Sequence, residues 1–137
     1  EIATAALVRR AGLVSLAETT PSMTWDSYDD ARAYMHAMGD TFDGEISRSG
    51  GSVVGETSSS VFNSLVSTRA ALVTDIDARS SSLARLTSVT LTGSRPAAVE
   101  AYRQYDDATR AADLIARNRL SDPNRMPPGV ALEYLNQ

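Results

Sequence analysis

The sequence predicts an α+β protein that is mainly α-helical, with a helical region over residues 1–83 and a small β-α-α-β module over residues 84–137. Two observations lead to this prediction. Apolar residues recur at helical spacing through the first region, and a run of alternating β-branched and apolar residues begins near Leu86. The length of 137 residues suits one ordinary domain or two small ones.

The first helix is predicted over residues 1–18. Its apolar residues surround the helix on most sides, so we expect it to need cover from several directions. The turn-forming residues that follow, at positions 19–22, include Pro21, which disfavours helical geometry at the residue before it. A loop is therefore predicted there.

The second and third helices are predicted over residues 27–46 and 56–83. Ser27 and Asp30 have the spacing of a capping box at the start of the second helix, and a glycine-rich stretch at residues 47–55 predicts a flexible connection. The third helix is predicted to be roughly 40 Å long. The three helices form either an antiparallel bundle or a hairpin that needs cover from another chain.

The module is predicted to begin with a strand that ends at Gly93. Pro96 is well placed at the first position of a helix of about ten residues. Asp106 or Asp107 can cap a second short helix, which Asn118 closes. A second strand is predicted over residues 130–135, and the edges of this small sheet offer places where a partner strand could add.

The module resembles a LysM-type domain. The residues that carry the resemblance are Tyr105, Leu114, Asn118, Leu120, Pro123, Met126, Pro128, Gly129 and Leu132. It implies two antiparallel strands with two helices packed on one face, and structural roles for Gly93, Pro96, Asn118, Pro123, Pro128 and Gly129. The family's sugar groove is lined by a Gly-Asp-Thr turn, where this chain has Gly93 to Pro96. Binding of peptidoglycan or another N-acetylglucosamine polymer is the alternative function.

A longer part of the chain, residues 83–135, resembles the C-terminal part of the Mu-like phage DNA circularisation protein family. The resemblance rests on Leu83 through Pro96, Ala101 to Arg103, Tyr105, Ile115 to Leu120, Asp122, Pro123, Pro128 and Gly129. It implies a tail or baseplate protein of a contractile-tailed phage, assembled in the bacterial cytoplasm and located in the virion. Other baseplate proteins would be its partners, and this chain would lack the family's N-terminal domain.

Composition argues against several classes of site. The absence of cysteine and the single histidine, His36, exclude thiol nucleophiles, cysteine-ligated metals and most histidine-based sites, so we expect no enzyme activity, cofactor or metal. The 13 basic residues are all arginine and are outnumbered by 17 acidic residues, so we expect no direct binding to nucleic acid. No apolar run approaches the roughly 18 residues of a membrane span.

The candidate functional residues are therefore those of a protein interface. The first helix has more apolar surface than its neighbours obviously cover, and aromatic residues are common anchors at interfaces. Core packing remains the alternative for each aromatic residue. The candidates are Leu7, Val14, Trp25, Tyr28, Tyr102 and Tyr105. Two acidic pairs, Asp29 with Asp30 and Asp106 with Asp107, lie at predicted helix starts, where we interpret them as caps rather than acid-base pairs.

Overall fold

The computed structural model describes residues 2–136. Over these residues it contains five α-helices and one two-stranded antiparallel sheet, which confirms the predicted α+β class with helix predominating. The chain divides into two compact units at the junction of Leu83 and Ala84. We call the part up to Leu83 the helical unit and the part from Ala84 onward the module.

The first helix, α1, spans Ile2–Thr19 and leads into a 3-10 turn at Thr20–Ser22. The sequence predicts a loop at this turn. Pro21 is tolerated because it lies at the start of the turn, where an amide N–H has no partner to bond. Met23 then takes an extended conformation, which ends the helical path.

The second helix, α2, spans Tyr28–Ser47, within one residue of the prediction. Ser27 precedes it in an extended conformation, and its hydroxyl oxygen accepts a hydrogen bond from the Asp30 backbone N–H at 3.1 Å. The Ser27 hydroxyl in turn donates to the Asp30 carboxylate at 2.6 Å. Local capping chemistry therefore fixes the start of α2.

The connection between α2 and the next helix is closed by a hydrogen bond between its two ends. The sequence predicts a flexible segment here. It begins with a π-helical turn at Arg48–Ser52, in which Gly51 has a φ of 116° that favours glycine. The Ser58 N–H then donates to the Ser49 carbonyl at 3.0 Å. These contacts give the connection a defined path from α2 to the next helix.

The third helix, α3, spans Ser59–Ser80, so the predicted bounds of 56–83 are too wide at both ends. It begins late because Ser58 acts as the cap and accepts a hydrogen bond from the Val61 N–H at 3.5 Å. It ends within a run of serines, which have poor helix propensity. Its 22 residues give a length of about 33 Å rather than the expected 40 Å.

The core of the helical unit lies mainly between α2 and α3. These helices run antiparallel, as shown by the approach of Arg32 to Asp77 at 3.9 Å and of Arg69 to Asp43 at 2.8 Å. The buried cluster contains Leu13, Ala31, Met38, Phe42, Leu72 and Ile76. Leu13 is the single residue of this cluster from α1. The helices α2 and α3 therefore form a close hairpin, and α1 packs against it less deeply.

The module consists of strand β1 (Arg85–Thr90), helix α4 (Ala97–Tyr105), a 3-10 turn (Ala108–Arg110), helix α5 (Ala111–Asn118) and strand β2 (Ala131–Asn136). The two strands pair antiparallel, with Val89 opposite Leu132 and Ser88 opposite Glu133. A buried cluster of Leu91, Ala97, Leu114, Met126 and Leu132 forms its core.

Three local predictions for the module are corrected. The first strand ends at Thr90 rather than near Gly93, because Leu91 turns into the core and its carbonyl accepts a hydrogen bond from the Gly129 N–H. Pro96 is the residue before α4 rather than its first residue, with an extended ψ of 147°. The second strand begins one residue later than predicted, because Val130 lies outside the ladder.

Candidate protein-binding surface

One side of α1 presents aliphatic side chains to solvent. Leu7, Val8 and Val14 have exposed fractions of 68%, 67% and 57%, whereas Ala6 and Leu13 are buried. Residues seven apart lie on the same side of a helix, so Leu7 and Val14 share the exposed side and Ala6 and Leu13 share the buried side. We call Leu7, Val8 and Val14 the α1 apolar face.

A groove runs between α1 and α3 beside this face. It has a volume of about 520 Å³. Its apolar lining includes Leu13, Val14, Ala17, Phe42, Val61 and Leu65. Small polar residues of α3, including Ser60 and Ser64, complete the wall, and Arg10 and Glu18 add charge. The groove can therefore accept apolar side chains from another molecule while a charged rim sets their orientation.

A second groove lies on the opposite side of α1, toward α2, with a volume of about 570 Å³. Gly12 and Gly44 line it and leave space between the two helices. Asp40 and Arg48 add charged groups to the rim of this groove. Because α1 has a groove on each side, it contacts the hairpin along a narrow strip and leaves much of its surface exposed.

A group of salt bridges fastens the N-terminal half of α1 to the end of α2 and the connection. Glu45, which is 3% exposed, accepts hydrogen bonds from Arg9 Nε at 2.9 Å and from Arg10 Nε at 2.7 Å. Arg9 also bonds the Glu56 carboxylate, and Arg10 donates to the Glu56 carbonyl and the Ser49 hydroxyl. We call these five residues the arginine clasp.

The clasp changes the acid-base properties of its members. Burial raises the pKa of Glu45, but hydrogen bonds from Arg9 and Arg10 outweigh it, so the pKa lies below its ordinary value. Hydrogen bonds to Glu45 and Glu56 raise the pKa of Arg9. The glutamate therefore stays ionised although it is buried, and α1 is held by charge as well as by apolar contact.

The two predicted anchors near the start of α2 are half-buried. The Arg79 guanidinium lies over the Trp25 ring at 4.7 Å, and the rings of Trp25 and Tyr34 are 5.7 Å apart. The Arg32 guanidinium lies 5.9 Å from the Tyr28 ring. Both aromatic residues thus contact the helical unit itself and present only part of their surface to solvent.

The two predicted aromatic anchors of the module differ in environment. Tyr102 is 58% exposed, next to the exposed Val99 one helical turn earlier. Tyr105 is half-buried, packs edge-on against Tyr134 at 6.1 Å, and lies under the Arg110 guanidinium at 3.9 Å. Its hydroxyl accepts a hydrogen bond from the Leu135 N–H at 3.2 Å. Tyr102 is therefore available to a partner, whereas Tyr105 has a structural role.

The predicted turn residues of the module join its two long loops. The Pro123 carbonyl accepts a hydrogen bond from the Ala97 N–H at 2.7 Å. Gly129, after Pro128, has a φ of 80° and donates its N–H to the Leu91 carbonyl at 2.8 Å. Gly93 lies in the loop after β1, which these contacts fasten to the loop before β2.

The acidic pairs take structural positions. Asp29 and Asp30 lie in the first turn of α2. Asp107 caps the 3-10 turn, and hydrogen bonds from the Thr109 hydroxyl and backbone N–H lower its pKa. Asp106 ends α4 in a left-handed conformation with φ 55°, so it does not start a helix as the sequence allowed.

The structure also contains a buried carboxylate that the sequence does not predict. Glu100 on α4 is 1% exposed and accepts hydrogen bonds from Arg95 at 3.2 Å and from Gln104 at 2.6 Å.

Within residues 2–136, no cluster of metal-ligating side chains occurs, and no helix is both long and apolar enough to cross a membrane. His36 is exposed on α2.

Comparison with known protein families and with curated proteins gave no match.

Proposed function

We propose that this chain is a structural component of a contractile phage tail baseplate and that α1 docks onto neighbouring subunits. The α1 apolar face carries the proposal, because three neighbouring aliphatic side chains with exposed fractions of 57% to 68% are seldom left in water on a helix that also borders an open groove. The resemblance of residues 83–135 to Mu-like phage DNA circularisation proteins supports the baseplate as the assembly concerned.

The partner that suits this surface is an amphipathic helix. A helix lying over the groove between α1 and α3 would insert apolar side chains between Val14 and Leu65 and would cover the α1 apolar face. Burying Leu7, Val8 and Val14 would stabilise the complex by about 1 to 2 kcal/mol each before the loss of motional freedom is subtracted. This arrangement would complete a four-helix bundle.

The direct test is co-expression with the tail proteins encoded beside this one in the phage genome. The double variant Leu7→Ser and Val14→Ser should lose co-purification with the subunit that the unchanged chain retains. The control is Val54→Ser, because Val54 is 92% exposed but lies in the connection rather than on α1. Equal retention of the double variant and the control would contradict docking through α1.

Glycan binding by the module is the second candidate, supported by its β-α-α-β order and antiparallel strands. The loops that would line the sugar groove are, however, bonded to each other: the Met126 N–H donates to the Arg95 carbonyl at 3.0 Å, and Met126 is completely buried. A sugar between the loops would have to break these contacts, which favours docking. Retention on purified peptidoglycan that soluble chitin fragments compete away would support the glycan alternative.

A further inference from the structure

The outer edge of β2 is covered by side chains of the module's helices. The Glu133 N–H donates to the Asn118 side-chain oxygen at 2.8 Å, and the Asn118 amide donates back to the Glu133 carbonyl at 2.8 Å. The Leu135 N–H donates to the Tyr105 hydroxyl at 3.2 Å. Asn118 thus bonds β2 as a neighbouring strand would, and this edge is closed to a partner.

The edge of β1 at Ser88 and Thr90 has the opposite character. The backbone N–H and C=O of Glu133 point away from β1, toward Asn118. Because Ser88 lies opposite Glu133 in the antiparallel pair, its own N–H and C=O point away from β2. By the same alternation, Thr90 also points outward. Both side chains are exposed, and within residues 2–136 no hydrogen bond joins the backbone of either residue to another element. The regular pairing of β1 contains no bulge and no proline to protect this edge.

We propose that this edge binds a second copy of the chain, so that two β1 strands pair antiparallel about a twofold axis at Val89 and form a four-stranded sheet. Ser88 of each copy would then lie opposite Thr90 of the other. Each of these two pairs would exchange both N–H to C=O hydrogen bonds, which gives four bonds across the axis.

The chemistry of β1 favours its own copy as the occupant. Serine and threonine form a favourable cross-strand pair, so the exposed sides of the two strands are complementary in this register. Because β1 ends at Thr90, this register pairs residues 88–90 of the two copies. Arg85, the single charged residue of β1, lies outside the paired segment, so the two Arg85 charges do not meet. On the other side of the sheet, Val89 packs against the module core, and pairing with Val89 of the second copy would make the two cores continuous.

The association is tested by sedimentation equilibrium of the full chain in the Leu7→Ser and Val14→Ser background, which removes the contribution of α1. A dimer is expected, and Ser88→Pro should weaken it by about tenfold or more, because proline removes an outward N–H without disturbing the bonds to β2. Ser88→Thr keeps that N–H and should dimerise like the parent. A monomer at every concentration, or equal dimerisation of the proline variant, would overturn the proposal.

The register is tested separately by cross-linking, which the absence of cysteine from the chain makes unambiguous. Across the proposed axis the two Val89 Cα atoms would lie about 4.5 Å apart, within disulfide range, whereas the two Ser88 Cα atoms would be diagonal neighbours about 7 to 8 Å apart. Oxidised Val89→Cys should therefore form a covalent dimer much faster than Ser88→Cys. Equal or reversed rates would refute this pairing. Both measurements use this chain alone, so their result is independent of docking to baseplate proteins.

Discussion

Replacing Glu45 with glutamine is expected to lower the free energy of unfolding of the helical unit by about 2 kcal/mol. The carboxylate is buried and accepts one hydrogen bond from each arginine of the clasp, at 2.9 Å from Arg9 and 2.7 Å from Arg10. Glutamine has nearly the same shape, so the substitution removes charge without creating a cavity. Its amide nitrogen would also face an arginine, which has no acceptor to offer it.

The size of this effect follows from the difference between charged and neutral hydrogen bonds. A hydrogen bond to a charged group contributes about 1.5 to 3 kcal/mol and a neutral one about 0.5 to 1.5 kcal/mol. Two such bonds are weakened or lost in the variant. The Arg9 and Arg10 side chains are 35% and 26% exposed, so water can solvate their guanidinium groups after the change. The decrease in the free energy of unfolding is therefore expected near the lower end of the range for charged hydrogen bonds.

Urea unfolding followed by tryptophan fluorescence measures this change in the helical unit specifically. Trp25 is the one tryptophan of the chain, and it packs between Arg79 and Tyr34. Glu18→Gln is the matched control, since Glu18 is an exposed carboxylate on α1 and its replacement should change stability by less than about 0.5 kcal/mol. Equal unfolding free energies for the two variants would refute the stabilising role assigned to the clasp.

The effect of Glu45 is also expected to depend on pH. Its pKa lies below the ordinary value because the arginine hydrogen bonds outweigh burial. A carboxylate whose pKa is lower in the folded state than in the unfolded state stabilises the protein at pH values above the unfolded-state pKa. That stabilisation is lost as the pH falls through the folded-state pKa. The stability difference between the parent and Glu45→Gln should therefore shrink below about pH 4. A difference that stays constant into strong acid would contradict this linkage.

Three further substitutions, one of them with a matched control, test the local structure within each unit. Asn118→Ala should lower the free energy of unfolding of the module by about 2 kcal/mol and speed hydrogen exchange at the Glu133 amide. Unchanged protection of that amide would show that the β2 edge does not depend on the Asn118 side chain. Gly129→Ala should lower the melting temperature, because φ at this position is 80°, whereas Gly93→Ala should be nearly neutral; equal effects would contradict the strain argument. Ile76→Ala, at a fully buried site, should lower the free energy of unfolding measured in urea by about 2 to 5 kcal/mol. A decrease of less than about 1 kcal/mol would contradict the place of Ile76 in the core.

Features set by local chemistry could be predicted from the sequence. Ser27 and Asp30 are three residues apart, so their capping interaction depends on no other part of the chain, and α2 begins within one residue of the prediction. The end of α5 at Asn118 is likewise a local property of the helix terminus. The excess apolar surface of α1 was visible in its composition, because few polar residues interrupt it.

Features that depend on distant contacts could not be predicted. The pairing of Arg9 with Glu45 joins residues 36 positions apart, and nothing near either residue identifies the other. The sequence also does not tell which side of an almost wholly apolar helix will be buried, so Leu7 and Leu13 could be distinguished only by the fold. The early end of β1 has the same origin, since Leu91 leaves the strand to fill a core built by residues far along the chain.

The most direct test of docking through α1 is the accessibility of its exposed face in the free and the assembled protein. Val14→Cys would introduce the only cysteine of the chain, and its labelling by a maleimide reagent can be measured on purified protein and on assembled phage tails. We expect rapid labelling of the free protein and strong protection in tails, with Val54→Cys labelled in both. Labelling of residue 14 at the same rate in free protein and in tails would contradict docking through this face.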